Sequence, residues 1–277
     1  MSYFGFLLRF LAIPIVILLG LAWWDARRER ETAVDKHTAV SLQSWPLWAA
    51  IALHVLVALA YTTPWDNYLV ATRVWWYNPA LVTGVTLGWV PIEEYTFFVL
   101  QPILAGLWLW FLIRNTDYET RFTDYGAQIR IGSVILLGLI WLGTAVILIT
   151  QWQPGTYLAL ELVWALPPII IQLGFGADIL WRHRRLVFLT IVPLTLYLSA
   201  TDALAINWGI WTIDPAQSLN IFLGGVLPLE EFVFFLLTNI LVTFGVVLIL
   251  AESSHQRLAA IKSLISSGKQ LTAEKRV

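Results

Sequence analysis

Seven apolar stretches of roughly bilayer-spanning length limit what this chain can fold into. They lie roughly at residues 4–24, 45–64, 91–113, 129–150, 157–180, 186–206 and 227–250. A helix needs about 20 mostly apolar residues to cross a hydrocarbon core. With 58% hydrophobic and 13% charged residues, the composition also lies far from that of a soluble domain. The sequence therefore predicts an all-α integral membrane protein with seven transmembrane helices.

Lysine and arginine are unevenly distributed between the two sides of these helices. Only Arg9 and Arg73 lie towards one side. The others follow the first, third, fifth and seventh stretches: Arg27, Arg28, Arg30, Lys36, Arg114, Arg121, Arg130, Arg182, Arg184, Arg185, Arg257, Lys262, Lys269, Lys275 and Arg276. Because cytoplasmic loops carry the excess of positive charge, we expect a multi-pass protein of the cell membrane with its N-terminus outside and its C-terminus in the cytoplasm.

Two of the apolar stretches begin with the same acidic and aromatic motif. Pro91-Ile-Glu-Glu-Tyr-Thr-Phe-Phe98 returns as Pro228-Leu-Glu-Glu-Phe-Val-Phe-Phe235. Asp66 stands 25 residues before the first proline, and Asp202 stands 26 residues before the second. An aspartate, two glutamates and two phenylalanines thus recur in order at nearly constant spacing.

The repetition extends to three helices in each half. The first stretch can be laid on the fifth, with Pro14 on Pro168 and Gly20 on Gly174. The stretch at 129–150 has no counterpart, so it is predicted to be a linking helix. Four crossings separate the two motif copies, so the two three-helix repeats run parallel. The expected division is 1–113 for the first repeat, 114–150 for a loop and the linking helix, 151–252 for the second repeat and 253–277 for a polar cytoplasmic tail.

The repeated carboxylates are the candidate catalytic residues: Glu93, Glu94, Glu230, Glu231, Asp66 and Asp202. The predicted topology places them in the outer half of the bundle, together with Glu161 and away from every lysine. A carboxyl group that lacks both water and a cation favours its protonated form. Such a group can donate a proton inside an apolar pocket. Glu94 and Glu231 lie on the more polar stripe of their helices, which we expect to face the bundle interior.

Each motif also has a purely structural interpretation. Proline followed by two glutamates suits an ordinary helix start, because carboxylates stabilise the positive end of the helix dipole. That interpretation leaves the repeated phenylalanines unexplained. Aromatic rings near the acids could bind a substrate and stabilise a cation, although tryptophans at a membrane interface are also common. The candidate substrate-binding residues are Phe97, Phe98, Phe234, Phe235, Tyr95, Phe232 and Trp89.

The two motif copies resemble those of the membrane-integral lycopene cyclase family, over roughly residues 1–250. Because both copies are complete in one chain, the resemblance implies the fused single-chain form of the two-subunit bacterial type, as in archaea and fungi. It also implies a cofactor-independent, redox-neutral isomerisation that closes end rings on a linear carotenoid such as lycopene. The paired glutamates of the matching motifs would carry that reaction.

The chemistry of ring closure fits these residue types. A proton must reach a terminal double bond, a carbocation must survive attack by a second double bond, and a proton must then leave to a base. Carboxyl groups supply acid and base, aromatic faces stabilise the cation, and water has to be excluded. No metal or flavin is expected, because His54 has no second histidine at ligand spacing and the chain lacks a Gly-x-Gly-x-x-Gly turn. The expected partners are the carotenoid and the lipid bilayer, without nucleic acid or an obligatory protein partner.

Other functions remain open at this stage. A proton-coupled membrane transporter also uses intramembrane carboxylates, but it needs them throughout the bilayer rather than in one layer. A retinal protein needs a lysine in its last span, and a membrane prenyltransferase needs aspartate-rich motifs for magnesium and diphosphate. The sequence does not specify the ring type (β, ε or γ), how many ends close, the carotenoid length, the oligomeric state, or which glutamate is acid and which is base.

Overall fold

The computed structural model describes residues 1–32, 47–116 and 126–274. Lys36, Arg121, Lys275 and Arg276, on which part of the predicted orientation rests, lie outside these residues. Seven helices within the described part are long and apolar enough to cross a membrane, as predicted.

The transmembrane helices are numbered in chain order. Helix α1 combines Tyr3–Leu7, a π-helical turn at Leu8–Ala12 and Ile13–Thr32. The others are α2 (Leu47–Ala71), α3 (Ile92–Asn115), α4 (Gly126–Ile149), α5 (Thr156–Arg182), α6 (Arg184–Asn207) and α7 (Leu229–Leu250). An eighth helix, α8 (Glu252–Glu274), follows the last apolar one. The protein is therefore an all-α membrane protein, as the composition predicts.

Six short strands cover one end of the bundle. They are β1 (Trp75–Tyr77), β2 (Thr86–Leu87), β3 (Val90–Pro91), β4 (Trp211–Ile213), β5 (Phe222–Leu223) and β6 (Leu227–Pro228). Strands β2 and β3 form an antiparallel hairpin before α3, and β5 and β6 form another before α7. We call this end of the bundle, with the first turns of α3 and α7, the acid end. The opposite end, which carries α8, is called the basic end.

Strands β1 and β4 join the two halves of the chain. They pair antiparallel with Trp76 opposite Thr212. Trp76 and Thr212 are 136 residues apart, as Asp66 and Asp202 are, so they occupy equivalent positions of the sequence repeat. A self-complementary pairing of equivalent positions is what a twofold axis produces. This register supports the parallel arrangement predicted for the two repeats.

Helices α3 and α7 form the centre of the bundle, and α4 lies at its edge. More than half of the most apolar part of α3 and of α7 is buried, compared with 6% for α4. Helices α1 and α2 pack on α3, α5 and α6 pack on α7, and α4 packs mainly on α5. The peripheral position of α4 fits its predicted role as a linking helix. The division into domains at residues 113, 150 and 252 stays a prediction.

Two helices continue beyond their predicted ends. Helix α2 runs through Pro64 to Ala71, and α6 runs to Asn207, so Asp66 and Asp202 lie inside their helices. The predicted end of the second span at residue 64 is therefore wrong. Proline removes one backbone donor from a helix, but tertiary packing can compensate for it. Here Leu69, in the turn beyond Pro64, is fully buried.

The tail predicted to be polar forms a helix that is attached to the bundle. Arg257 of α8 donates to both carboxylate oxygens of Asp178 on α5, at 3.0 and 2.6 Å. It also donates to the carbonyl of Phe175. Arg130 of α4 lies 3.9 Å from the same aspartate. A bidentate arginine–carboxylate pair fixes orientation as well as distance, and here it fixes α8 against α5.

Replacing Asp178 by asparagine should loosen α8 from the bundle. Asparagine keeps the size of the side chain but removes the charge that Arg257 pairs with, and hydrogen bonds to charged groups contribute about 1.5–3 kcal/mol. Amide hydrogen exchange in α8 should become faster, while exchange in α3 and α7 stays the same. The matched control is Glu252→Gln, an exposed acid at the start of α8. Equal exchange in both variants would contradict the anchoring role.

Candidate active site

A small cavity lies at the acid end, between the first turns of α3 and α7. Its volume is about 50 Å³. Four carboxyl groups face it, Asp66, Glu94, Asp202 and Glu231, together with the paired phenylalanines of the two motifs, Phe97, Phe98, Phe234 and Phe235. No lysine or arginine is among the described residues that line it. We call this cavity the acid chamber.

The second glutamate of each motif enters the chamber and is held by a tyrosine from the other end of its repeat. Tyr3 of α1 donates to Glu94 Oε2 at 2.5 Å, and Tyr157 of α5 donates to Glu231 Oε1 at 2.8 Å. The two tyrosines are 154 residues apart, the same spacing as Pro14 and Pro168. They therefore make equivalent contacts in the two halves. The alignment of the first stretch on the fifth, continued towards the N-terminus, therefore places Tyr3 on Tyr157.

One further hydroxyl makes the two halves unequal. Tyr77 of β1 also donates to Glu94 Oε2, at 3.0 Å. Burial, and then the nearby Asp66 and Glu94, raise the pKa of Tyr77 well above its ordinary value near 10, so this phenol remains a donor at physiological pH. The equivalent position in the second half is Ile213, which has no hydroxyl. Glu94 thus receives two phenol hydrogen bonds and Glu231 receives one.

The first glutamate of each motif lies outside the chamber. Glu93 accepts the backbone N–H of Thr83 at 2.6 Å, and Glu230 accepts that of Leu219 at 2.7 Å. The hydroxyl of Ser218 also donates to Glu230, at 3.1 Å. These bonds connect the start of each helix to the loop before its hairpin. The structure therefore brings four of the six candidate catalytic residues together, and the catalytic role of Glu93 and Glu230 stays a prediction.

The two aspartates lie deep in the chamber wall. Asp66 and Asp202 are each 1% exposed. Among the described residues, neither carboxylate oxygen of Asp66 has a hydrogen-bond partner. Oδ2 of Asp202 has none there either. Glu161, one turn after Tyr157 on α5, is fully buried close to Glu231. Its equivalent in the first half is Leu7, so the pattern of the repeat could not point to it.

Four of the seven aromatic candidates line the chamber, and three do not. Phe97 and Phe235 meet edge to face, with ring centroids 6.2 Å apart. Tyr95, Phe232 and Trp89 do not line the chamber. Tyr95 instead donates to the carbonyl of Leu87 in the hairpin, and Trp89 is 67% exposed.

Further aromatic and polar residues lie in the chamber or near it. Trp65 lines the chamber, and its ring stacks on that of Trp164 with centroids 4.5 Å apart. His54, which does not line the chamber, bonds to the helix carbonyl of Ala50 at 2.7 Å. Within the described residues, no three acids or histidines are grouped to hold a metal ion. The expected independence from cofactors stays a prediction.

Comparison with known proteins places the chain in a family. The lycopene cyclase family model matches residues 40–112 and 154–250, which leaves out α1 and α4. Lycopene beta-cyclase of Halobacterium salinarum is 36% identical over 249 residues, 89% of this chain and 95% of that protein.

Fungal proteins match over a part of their length. The bifunctional lycopene cyclase/phytoene synthase of Gibberella fujikuroi is 34% identical over 203 residues, 70% of this chain and 33% of that protein. That of Podospora anserina is 36% identical over 197 residues, 69% of this chain and 33% of that protein. No solved structure matches. The chain belongs to the lycopene cyclase family.

Proposed function

We propose that this protein closes end rings on a linear carotenoid, with lycopene as the expected substrate, by acid–base catalysis in the acid chamber. The main support is that two equivalent glutamates, each held by an equivalent tyrosine, face one small cavity with phenylalanines in its wall. The names of the relatives supply the substrate class.

The reaction moves protons without oxidation or reduction. A carboxylic acid of the chamber donates its proton to the terminal double bond, which leaves a tertiary carbocation. The next suitable double bond attacks this carbon and closes a six-membered ring, which moves the positive charge onto the ring. A carboxylate then removes a proton beside that charge and forms the ring double bond. Product and substrate are isomers, so neither an external oxidant nor a reductant is required.

The unequal hydrogen bonding suggests how the two glutamates divide these tasks for the first ring. Two phenols donate to Glu94, and donors favour the ionised form of a carboxyl group, so Glu94 is the base. Glu231 accepts one phenol and lies near Glu161, and close carboxyl groups favour states in which one keeps its proton. Glu231 is therefore the acid. Asp66 and Asp202 orient the proton on their side of the chamber.

The phenylalanines protect and stabilise the cation. The rings of Phe97, Phe98, Phe234 and Phe235 can face the charge and exclude water, which would otherwise trap the cation as an alcohol. A cavity that binds benzene is about 150 Å³, whereas the chamber holds about 50 Å³. The aromatic side chains must therefore shift when the end of the substrate enters.

The orientation in the cell membrane follows from the charges at the basic end. Arg130, Arg182 and Arg257 lie there. The positive-inside rule puts this end, with α8, in the cytoplasm, and the acid end on the outer side.

Expression in cells that accumulate lycopene tests the function directly. This chain alone should produce ring-bearing carotenoids, because both glutamate–tyrosine pairs lie within it. Pigment analysis by chromatography, together with detection of the protein in the membrane, gives the answer. Unchanged lycopene in the presence of membrane-inserted protein would refute the proposal.

Glu94→Gln and Glu231→Gln should each abolish ring closure at both ends of the substrate. Glutamine keeps the shape of the side chain but neither donates nor accepts the proton, and one composite chamber serves both ends. The controls are Glu93→Gln and Glu230→Gln, whose amide oxygens can still accept the loop N–H groups. These controls should lose less than about tenfold in rate, which corresponds to less than 1.4 kcal/mol. A one-ringed product made at the normal rate by either chamber variant would mean two independent sites.

Tyr3→Phe and Tyr157→Phe should each lower kcat by at least about tenfold with little change in KM. A hydrogen bond to a charged group contributes about 1.5–3 kcal/mol, and this one positions the proton-transferring carboxyl group rather than the substrate. The control is Tyr197→Phe, whose hydroxyl donates to the carbonyl of Phe10 away from the carboxyl groups. An equal loss of kcat in the control would show a general effect on packing and not on positioning.

A further inference from the structure

A second and larger cavity begins where the acid chamber ends. Its volume is about 500 Å³, within the range of small-molecule sites. Phe97, Phe98 and Phe234 belong to the walls of both cavities. The larger one continues between α2, α5 and α7 to Leu258 of α8. We call it the lateral groove.

The wall of the groove suits a hydrocarbon. Most of the residues that line it are apolar, and three of the polar side chains among them have partners within the protein. His54 bonds to the carbonyl of Ala50, Gln101 donates to Asn239 at 3.0 Å and Thr238 donates to the carbonyl of Phe234 at 3.0 Å. A hydrocarbon chain therefore displaces none of these hydrogen bonds when it binds.

The groove opens sideways, towards the space that lipid occupies. At the acid end, α2 and α5 are joined by the bond from the Tyr61 hydroxyl to the carbonyl of Trp164, at 2.7 Å. Farther from that end, the groove is lined by Leu53, Val57 and Ile171, which are 45%, 51% and 72% exposed. Side chains that are both exposed and part of a cavity wall mark the mouth of that cavity.

The equivalent place in the other half is filled. There, Tyr197 of α6 donates to the carbonyl of Phe10 of α1, which matches the bond between Tyr61 and Trp164. Gly245 lines the groove on α7, whereas the equivalent residue of α3 is Trp108. The Trp108 indole N–H donates to the carbonyl of Leu189 at 3.1 Å, so its ring occupies the space beside α6. The two halves thus share the tyrosine–carbonyl bond, but the space that is open beside Gly245 in one half is filled by Trp108 in the other.

The dimensions fit a long, thin molecule. The groove follows α7 from Phe234 to Ile249, which is about 22 Å at 1.5 Å per residue. A linear carotenoid is about as long as the bilayer core, roughly 30 Å. With one end in the acid chamber, most of the polyene lies in the groove and the remainder reaches past its mouth.

We propose that the lateral groove is the path by which a linear polyene hydrocarbon enters the acid chamber from the bilayer, and that Trp108 closes the equivalent path in the other half. The substrate then enters between α2 and α5, one end at a time. This inference rests on the proposed function for the identity of the molecule, but it concerns where that molecule binds.

The matched test uses two exposed isoleucines at equivalent positions, Ile171 on α5 and Ile17 on α1, which are 154 residues apart. Ile171 lies at the mouth of the groove, whereas Ile17, 56% exposed, lines neither cavity. Ile171→Trp and Ile17→Trp place the same bulk on a bilayer-facing surface, where it leaves the fold intact. The full-length proteins are compared in lipid nanodiscs for initial rates on lycopene. The lycopene that copurifies with each variant is compared in proteins that also carry Glu94→Gln, because such proteins bind the substrate without turnover.

Ile171→Trp should lower both the rate at low lycopene content and the retained lycopene by at least about tenfold, or 1.4 kcal/mol. Ile17→Trp should leave both within about twofold of the parent protein. Equal effects of the two substitutions, whether large or small, would overturn the inference and leave the function intact. If the wild-type protein makes no rings, the proposed function fails, and the retained lycopene alone tests whether the groove binds a polyene. A loss of retained lycopene in Ile171→Trp but not in Ile17→Trp would then support the proposed path, and equal retention in the two variants would overturn it.

Discussion

The structure of the acid end follows from the cost of placing carboxyl groups inside a membrane. Such groups are rare in transmembrane segments, because each must find hydrogen-bond partners or keep its proton. Here tyrosines of α1, β1 and α5 donate to Glu94 and Glu231, and backbone N–H groups of the loops donate to Glu93 and Glu230. Each of these bonds lies within one half of the chain. The pairing of β1 with β4 joins the two halves next to them.

The adjacent glutamates show how one motif has both a structural and a chemical role. Residues next to each other on a helix point about 100° apart, at 3.6 residues per turn. Glu93 therefore reaches the loop and Glu94 reaches the chamber, from neighbouring positions in the first turn of α3. The interpretation as a helix start fits the contacts of Glu93, and the interpretation as an active site stays a prediction that the position of Glu94 in the chamber supports. Glu93 alone would attach α3 to the loop without placing a carboxyl group in the chamber. Glu94 alone would place a carboxyl group there without that attachment.

The sequence predicted the seven helices and the inward direction of Glu94 and Glu231, because apolar length and helical periodicity are local properties. The family was indicated by the resemblance of the two motif copies. The sequence did not predict the different contacts of Glu93 and Glu94, since the N–H group that binds Glu93 lies in a loop without a strong pattern. Trp89 is aromatic like many residues of the site, but it lies in a turn and its side chain is exposed. Glu161 has no repeated counterpart, and the difference between Gly245 and Trp108 has meaning only once the halves are superposed. The contacts between elements of the bundle were thus harder to predict than the helices themselves.

The duplication also offers a way to restore the proton balance when two ends are cyclised. In the proposed mechanism, Glu231 has lost its proton and Glu94 has gained one after the first ring closes, so the protonation of the two halves is exchanged relative to the starting state. The next end can then be protonated by Glu94 and deprotonated by Glu231, since an equivalent tyrosine holds each glutamate. No proton has to cross the phenylalanine wall between the two closures. Tyr77, present on one side only, makes the first of these states the preferred one. A symmetric framework with one asymmetric hydroxyl therefore suits a substrate whose two ends enter by the same path in succession.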